Sequence, residues 1–171
     1  MRSLTMLVAA TAVAFGIAAP SDHAGADSGD GSLPGGVVLT PFDVANPAVG
    51  RLDPELLRAV QNAATAASAD GVTMTVTSGW RSPEFQQRLL DQAVHTYGSL
   101  AAARKFVQTP DMSKHVIGEA VDVGGTRADQ WLIVNGSRFG LCRIYANELW
   151  HFELAADAEG RCPALLPDAA G

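Results

Sequence analysis

Two segments in the second half of this 171-residue chain carry side chains that could hold a metal ion. The first, SKHVIGEAVD, places the imidazole of His115 seven residues before the carboxylate of Asp122. The second, ELWHFE, contains His151. Two histidines and one aspartate supply three protein ligands, the number typical of a catalytic zinc ion, whose fourth position is left for water. A surface loop leading into a core strand is the alternative interpretation of the first segment.

A zinc hydrolase also needs a base that takes a proton from the water and delivers it to the leaving amine. Glu148 lies three residues before His151, at a turn that enters a predicted strand. Glu153 is its rival, because strand alternation puts Glu153 on the same face as His151. Two residues along a strand span about 6.6 Å, which exceeds hydrogen-bond reach unless the side chain leans back. A solvated turn carboxylate is the alternative interpretation of Glu148.

Local patterns predict the elements that would position these side chains. Helix-start signals, each a capping residue with a nearby carboxylate, lie at Asp53–Glu55, Ser82–Glu84 and Thr126–Asp129. A further helix is expected near residues 99–107. Alternating apolar residues predict strands at 72–77, 120–123, 141–145 and 150–154, with a short edge strand at 37–39. The pattern indicates an α+β domain whose antiparallel sheet comes largely from the second half of the chain.

The first 26 residues have the features of a secretory signal peptide. Arg2 precedes an apolar run, and Ala24-Gly25-Ala26 is a small-residue cleavage site. Residues 27–36 are small and glycine-rich, which predicts a flexible lead-in to a folded domain at 37–171. We therefore expect a secreted or cell-envelope protein, outside the cytoplasmic membrane, with no stable membrane span after cleavage.

Charge and cysteine content narrow the possible partners. The formal net charge of −6, without a block of lysine and arginine, argues against nucleic acid or an anionic membrane surface as the main partner. No long apolar heptad suggests an oligomer, so a monomer is expected. Cys142 and Cys162 in an exported chain predict a disulfide that closes a loop of about 20 residues and contributes roughly 3 kcal/mol to stability.

Three motifs in order resemble the VanY-type zinc D-alanyl-D-alanine carboxypeptidases. The pattern S-x-H-x-x-G-x-A-x-D is met at Ser113, His115, Gly118, Ala120 and Asp122. The pattern E-x-x-H is met at Glu148 and His151, and SGWRS occupies residues 78–82. The fold group of these enzymes includes lysostaphin-type endopeptidases and the hedgehog signalling domain. The resemblance, which spans about Ser78 to Glu153, implies a small antiparallel sheet with helices packed on one side.

The resemblance also implies a role for each motif residue. The implied ligands of one zinc ion per chain are His115, Asp122 and His151. Glu148 is implied as the catalytic base, and Arg81 as the arginine that contacts the substrate carbonyl or the transition-state oxyanion. A fixed guanidinium can stabilise negative charge of this kind. The implied substrate-side residues are Ser113 and Gln86, with Gln87 as an alternative to Gln86.

The predicted function is that of a secreted zinc metallopeptidase acting on peptidoglycan stem peptides, in particular a D-alanyl-D-alanine carboxypeptidase. A peptidoglycan endopeptidase that cuts inside the stem peptide or a crossbridge is the first alternative. A non-catalytic, zinc-stabilised cell-wall binding module is the second. Glu148 and Arg81 argue against that module, because a structural zinc site leaves no open position and has no use for a base.

Overall fold

A four-stranded antiparallel sheet forms the centre of the structure. The computed structural model describes residues 29–35 and 37–171. Its strands are β1 (Thr75–Ser78), β2 (Ala120–Gly124), β3 (Leu141–Arg143) and β4 (His151–Leu154). Their order across the sheet is β1-β2-β4-β3, and every neighbouring pair is antiparallel. The predicted α+β class with a small antiparallel sheet is confirmed.

In the described part of the chain, five helices surround this sheet, and two of them pack against one of its faces. They are α1 (Pro47–Gly50), α2 (Pro54–Ala69), α3 (Pro83–Tyr97), α4 (Leu100–Ala103) and α5 (Thr126–Asn135), followed by a 3₁₀ helix at Gly136–Phe139. Apolar residues of α2 and α5 share the main core with the sheet residues Val76, Val121, Val123 and Phe152. A second, smaller cluster joins α3 to α4 and contains Leu90, Ala93 and Ala103. The face of β2 and β4 turned away from the main core is left for polar side chains.

The start of each long helix is where its local signal predicts it. Asp53 caps α2, because its side chain accepts hydrogen bonds from the backbone N–H groups of Glu55 and Leu56. Ser82 caps α3 by accepting a hydrogen bond of 3.1 Å from the backbone N–H of Phe85. Both helices have proline in the first turn, where its missing N–H costs nothing. These two helix predictions are confirmed.

Several predicted boundaries are wrong because long-range contacts override local pattern. Strand β1 begins at Thr75, where pairing with β2 begins, and not at residue 72. The helix expected near 99–107 is the single turn α4. The helix expected to be capped by Thr126 has Gly125 at its N-cap, at φ 88°, and begins at Thr126. The edge strand expected at 37–39 is one isolated bridge between Leu39 and Val76.

Segments that precede and follow the strands in the sequence are attached to the folded domain. The disulfide predicted between Cys142 and Cys162 is present, with a Cα–Cα distance of 5.5 Å. The described part of the predicted lead-in contacts the domain. Its residue Asp30 accepts a hydrogen bond of 2.8 Å from the Ser82 backbone and forms an ion pair with Arg88.

The predicted signal peptide, residues 1–26, lies outside the described residues. Within residues 29–35 and 37–171, no helix has the length and apolar character needed to cross a membrane.

Replacing Asp53 by alanine should lower the free energy of unfolding by about 1 kcal/mol, because two backbone N–H groups of α2 lose their acceptor. Urea denaturation followed by circular dichroism measures the change. The matched control is Asp91→Ala on the exposed side of α3, where a change within about 0.5 kcal/mol is expected. Equal effects of the two substitutions would contradict the capping role.

Candidate functional site

The pairing register of β2 and β4 brings two of the predicted ligands together. Asp122 on β2 lies directly opposite His151 on β4. His115 reaches the same place from the loop before β2, and all three side chains are buried. Together they form a group whose ligand atoms are close enough to share one metal ion.

The spacings of the three ligand atoms fit a tetrahedral zinc ion. His115 Nε2 lies 3.3 Å from His151 Nδ1. Asp122 Oδ1 lies 3.2 Å from His151 Nδ1 and 3.4 Å from His115 Nε2. Ligands bound to zinc at about 2.0–2.1 Å in a tetrahedron are separated from one another by about 3.3 Å. The three residues therefore surround a space of the size that the ion requires.

Each of the three side chains has a hydrogen bond on the side away from the other two. This bond orients the remaining lone pair toward the space that the three side chains share. His115 Nδ1 donates to the carbonyl of Gly79 at 2.8 Å, which leaves Nε2 free to bind a metal. His151 Nε2 donates to Glu153 Oε1 at 2.9 Å, which turns Nδ1 toward Asp122 and His115. Asp122 Oδ2 accepts a hydrogen bond of 2.9 Å from Arg81, so Oδ1 faces the histidines. Partners of this kind orient ligands and raise their basicity at metal sites.

Two motif glycines permit the close packing that brings His115 into place. A side chain at Gly79 would place its Cβ 1.9 Å from the carbonyl oxygen of Ala48. Gly118 has a φ of 77°, and a Cβ there would lie 2.7 Å from the carbonyl oxygen of Arg51. Only glycine tolerates these positions without a backbone shift. The glycines of both motifs thus serve the backbone that carries the ligand.

Arg81 is largely buried, with 13% of its side chain exposed, and is held at three points. Its Nε donates to Ser78 at 2.8 Å, Nη1 donates to Gln86 at 3.0 Å, and Nη2 donates to Asp122 at 2.9 Å. Burial lowers the pKa of its guanidinium, and the charges of Asp122 and Glu148 oppose this shift. The group therefore lines the site as a fixed cation beside the metal ligands.

The structure separates Gln86 from its alternative. Gln86 is buried, accepts from Arg81 and donates to the carbonyl of Gln108 at 2.8 Å. Gln87 is exposed and donates to Asp91 on the outer side of α3. Both polar ends of Gln86 are bonded to protein, which suits a role in positioning Arg81. Helical spacing from the buried residue Leu90 is the sequence signal that distinguishes the two glutamines.

The two candidate bases also occupy different places. Glu148 is buried in the loop that precedes β4, with Oε2 3.8 Å from the metal-facing Nδ1 of His151. Burial raises the pKa of the Glu148 carboxyl to about 7. Glu153 contacts the opposite nitrogen of the same ring. Glu148 therefore lies on the side where water would be activated, and Glu153 lies behind the ligand.

Opposing effects set the charges of the three ligands. Burial lowers the pKa of His151, but hydrogen bonds to Asp122 and Glu153 outweigh it and raise the pKa to about 9. Burial lowers the pKa of His115, assisted by the positive charge of Arg81. Burial would raise the pKa of Asp122, but the neighbouring histidines and Arg81 hold it well below its usual range. Without metal, the site therefore retains a proton on His151 and a negative charge on Asp122.

A cleft of about 220 Å³ opens onto these residues. Its polar part includes Arg81, Ser113 and Glu148. Its apolar lining comprises Leu89, Phe106, Val107, Met112, Trp150 and Ala169. Tyr145 lies between the two parts, with its ring 4.9 Å from the ring of His151, and burial raises its pKa to about 12. Ser113 thus lies beside the metal ligands, as its predicted substrate-side role requires.

The sequence did not reveal the cleft residues that come from distant loops. Tyr145, Phe106 and Ala169 lie in separate segments that meet only in the folded protein. Tyr145 ends a predicted strand, and no motif or periodicity marks it as part of a site. Ala169 lies in a segment predicted only to be a loop.

Comparison with known proteins agrees with this geometry. The sequence profile of VanY, described as D-alanyl-D-alanine carboxypeptidase, matches residues 50–156. A D-alanyl-D-alanine carboxypeptidase of Enterococcus faecalis (strain ATCC 700802 / V583) is 33% identical over 127 residues, which cover 60% of this chain and 47% of the relative. The chain thus spans about half the length of that curated relative.

Solved structures include two relatives with ligands. The vancomycin resistance D,D-pentapeptidase VanY from a VanB-type resistance cassette, a mutant in complex with Zn(II), is 33% identical, with a TM-score of 0.56 over 60% of this chain and 71% of that one. VanYB in complex with D-alanine-D-alanine is 31% identical, with a TM-score of 0.57 over 60% and 70%. Because the profile covers more than half of the chain, this protein belongs to the VanY D-alanyl-D-alanine carboxypeptidase family.

Proposed function

We propose that this protein is an exported zinc peptidase that removes the terminal D-alanine from peptidoglycan stem peptides. The observation that carries the proposal is the set of three inward-facing ligand atoms, spaced 3.2–3.4 Å apart, beside a buried glutamate. The Zn(II) and D-alanine-D-alanine complexes of the relatives support the choice of metal and substrate. The predicted signal peptide and the disulfide support export, because disulfides persist in oxidising compartments.

The proposed reaction assigns one task to each residue of the site. His115, Asp122 and His151 would hold a zinc ion, which would supply an acidified water, with a pKa of about 7, and would polarise the scissile carbonyl. Glu148 takes the proton of the attacking water. As the C–N bond breaks, Glu148 returns that proton to the nitrogen of the departing D-alanine. Arg81 faces the negative charge that develops on the carbonyl oxygen.

The fixed geometry of Arg81 supports this last role. Three of its five N–H groups are bonded to protein, so the guanidinium is oriented before substrate binds. Preorganised donors cost no reorganisation during the reaction. Gln86 acts as a positioning residue for Arg81, and Ser113 as a contact for substrate at the entrance to the metal ligands.

The partners follow from the same proposal. The substrate is a peptidoglycan stem peptide, and the net charge of −6 disfavours nucleic acid as a ligand. The protein acts as a monomer. A non-catalytic binding module is disfavoured, because Glu148 is a buried carboxyl that no structural zinc site would need.

Replacing Glu148 by glutamine should abolish turnover and leave zinc bound, because Glu148 is not a ligand. The loss in kcat should be about 10²–10⁴-fold, the usual contribution of a positioned general base. D-alanine release from a pentapeptide measures turnover, and plasma mass spectrometry measures zinc content. Glu159→Gln, which lies in an exposed ion pair with Arg161, is the control and should leave both unchanged. Turnover close to that of the parent protein would overturn the assignment of the base.

Replacing Glu153 by alanine should weaken zinc binding about 10–100-fold, because His151 loses the acceptor that orients it. At saturating zinc, the variant should recover a kcat within about tenfold of the parent value, since the base is intact. Competition with a fluorescent chelator measures the zinc affinity. Unchanged zinc affinity together with lost turnover would instead make Glu153 the base.

Zinc binding at pH 8 should release at least one proton, because the pKa of about 9 keeps His151 protonated in the metal-free site, and the zinc-bound water can release another. The raised pKa means that the His151 proton is bound below pH 9 and must leave for the metal, so affinity falls at least about tenfold per pH unit from pH 9 to pH 7. Calorimetry in buffers of different ionisation enthalpy counts the protons. Release of no proton would contradict this charge state.

A further inference from the structure

We infer that the segment after β4, residues 155–171, closes one end of the cleft, so that the site accepts the last residue of a peptide and excludes a peptide that continues beyond it. We call these residues the closing segment. This inference rests on the proposed peptidase function and deepens it, because it decides between a carboxypeptidase and an endopeptidase. It concerns a part of the chain that the family profile leaves largely unmatched, since that profile ends at residue 156.

The closing segment is hydrogen-bonded to both flanks of the cleft. On one flank it pairs with the loop between β3 and β4, where Leu166 donates to the carbonyl of Ile144 at 2.9 Å and accepts from Ala146 at 2.8 Å. On the other flank it pairs with the chain after α4, where the N–H of Ala169 donates to the carbonyl of Lys105 at 3.2 Å. The closing segment therefore bridges the two flanks of the cleft.

Further contacts join the same two flanks at this end. The side chain of Asn147 donates to the carbonyl of Lys105 at 2.9 Å. The side chain of Gln108 donates to the carbonyl of Ala169. The backbone of Gln108 in turn accepts from Gln86, the residue that holds Arg81. The closed end is therefore part of one hydrogen-bonded network with the cation of the site.

The disulfide holds the closing segment in this place. Cys142 lies on β3 and Cys162 lies within the closing segment, four residues before the pairing of Leu166. Cys142 is directly opposite Glu153 in the β3–β4 ladder, next to the strand that carries His151. The covalent bond therefore anchors the segment to the part of the sheet that positions the metal ligands.

The chemistry of the closed end suits a small terminal residue. Ala169 is nearly buried and lines the cleft together with Phe106 and Val107. An endopeptidase must let its substrate leave the cleft in both directions, whereas this cleft is bridged on one side. In this proposal the closed end receives the side chain of a terminal alanine and blocks a following residue.

Peptide binding to zinc-loaded Glu148→Gln protein tests the inference without turnover. The two probes are a stem pentapeptide ending in D-alanyl-D-alanine and the same peptide extended by one glycine. Calorimetry should give a dissociation constant at least about tenfold lower for the unextended peptide. Equal affinity for the two peptides would overturn the inference.

Two variants made in the same Glu148→Gln protein locate the cause of this discrimination. Joint replacement C142A and C162A, which releases the closing segment, should bring the two affinities to within about threefold of each other. Ala169→Leu, which adds bulk at the closed end, should weaken binding of the unextended peptide about tenfold at unchanged zinc content. Gln87→Ala, on the exposed side of α3, is the control and should retain the parent preference.

The outcomes distinguish a failure of the role of the closing segment from a failure of the proposed reaction. Discrimination that persists in the disulfide variant, together with unchanged binding by Ala169→Leu, would overturn the role of the closing segment. If the disulfide variant does not fold, Ala169→Leu alone decides the matter. If zinc-loaded parent protein releases no D-alanine but the variants behave as stated, the proposed reaction fails while the closed end stands.

Discussion

The site depends on the antiparallel register of β2 and β4. This register places Asp122 opposite His151, and a slip of one residue would turn either side chain to the other face of the sheet. Apolar packing on the opposite face of the sheet stabilises this register. Val121 and Phe152, which neighbour these ligands along the strands, are fully buried in the main core. Apolar packing on one face of the sheet thus sets the position of polar chemistry on the other.

Charge balance is the second constraint on this arrangement. A buried aspartate and a largely buried arginine lie beside two buried histidines, and an unpaired charge in such a place would be costly. Arg81 and Asp122 compensate each other at 2.9 Å, while Gly79 and Glu153 satisfy the outer nitrogens of the histidines. Each polar atom that faces outward is bonded, so the remaining electron pairs converge on one point. This convergence makes the cluster able to hold a metal ion and distinguishes it from an ordinary buried ion pair.

The sheet and the loops have different roles in the site. The sheet positions Asp122 and His151, and the loop before β2 supplies His115, whereas other loops and the closing segment line the cleft that would receive a peptide. Backbone and side-chain hydrogen bonds join the loop segments, and one disulfide joins the closing segment to β3. Changes in the loops can therefore alter which peptide is accepted while the metal ligands stay in place, as is common where loops on a rigid scaffold carry specificity.

The sequence by itself determined what is local. The caps at Asp53 and Ser82 act within one helical turn, so both long helices begin where predicted, and the alternation of β2 and β4 follows from the strand period. Motif spacing and family resemblance named the ligands, but neither could say that Glu148 lies in front of His151 and Glu153 behind it. Only the tertiary structure decided on which side of His151 each glutamate lies. It also decided the place of Gln86 and the closure of the cleft by residues 155–171. The physical reason is that these features arise from contacts between segments far apart in the chain, which no local propensity encodes.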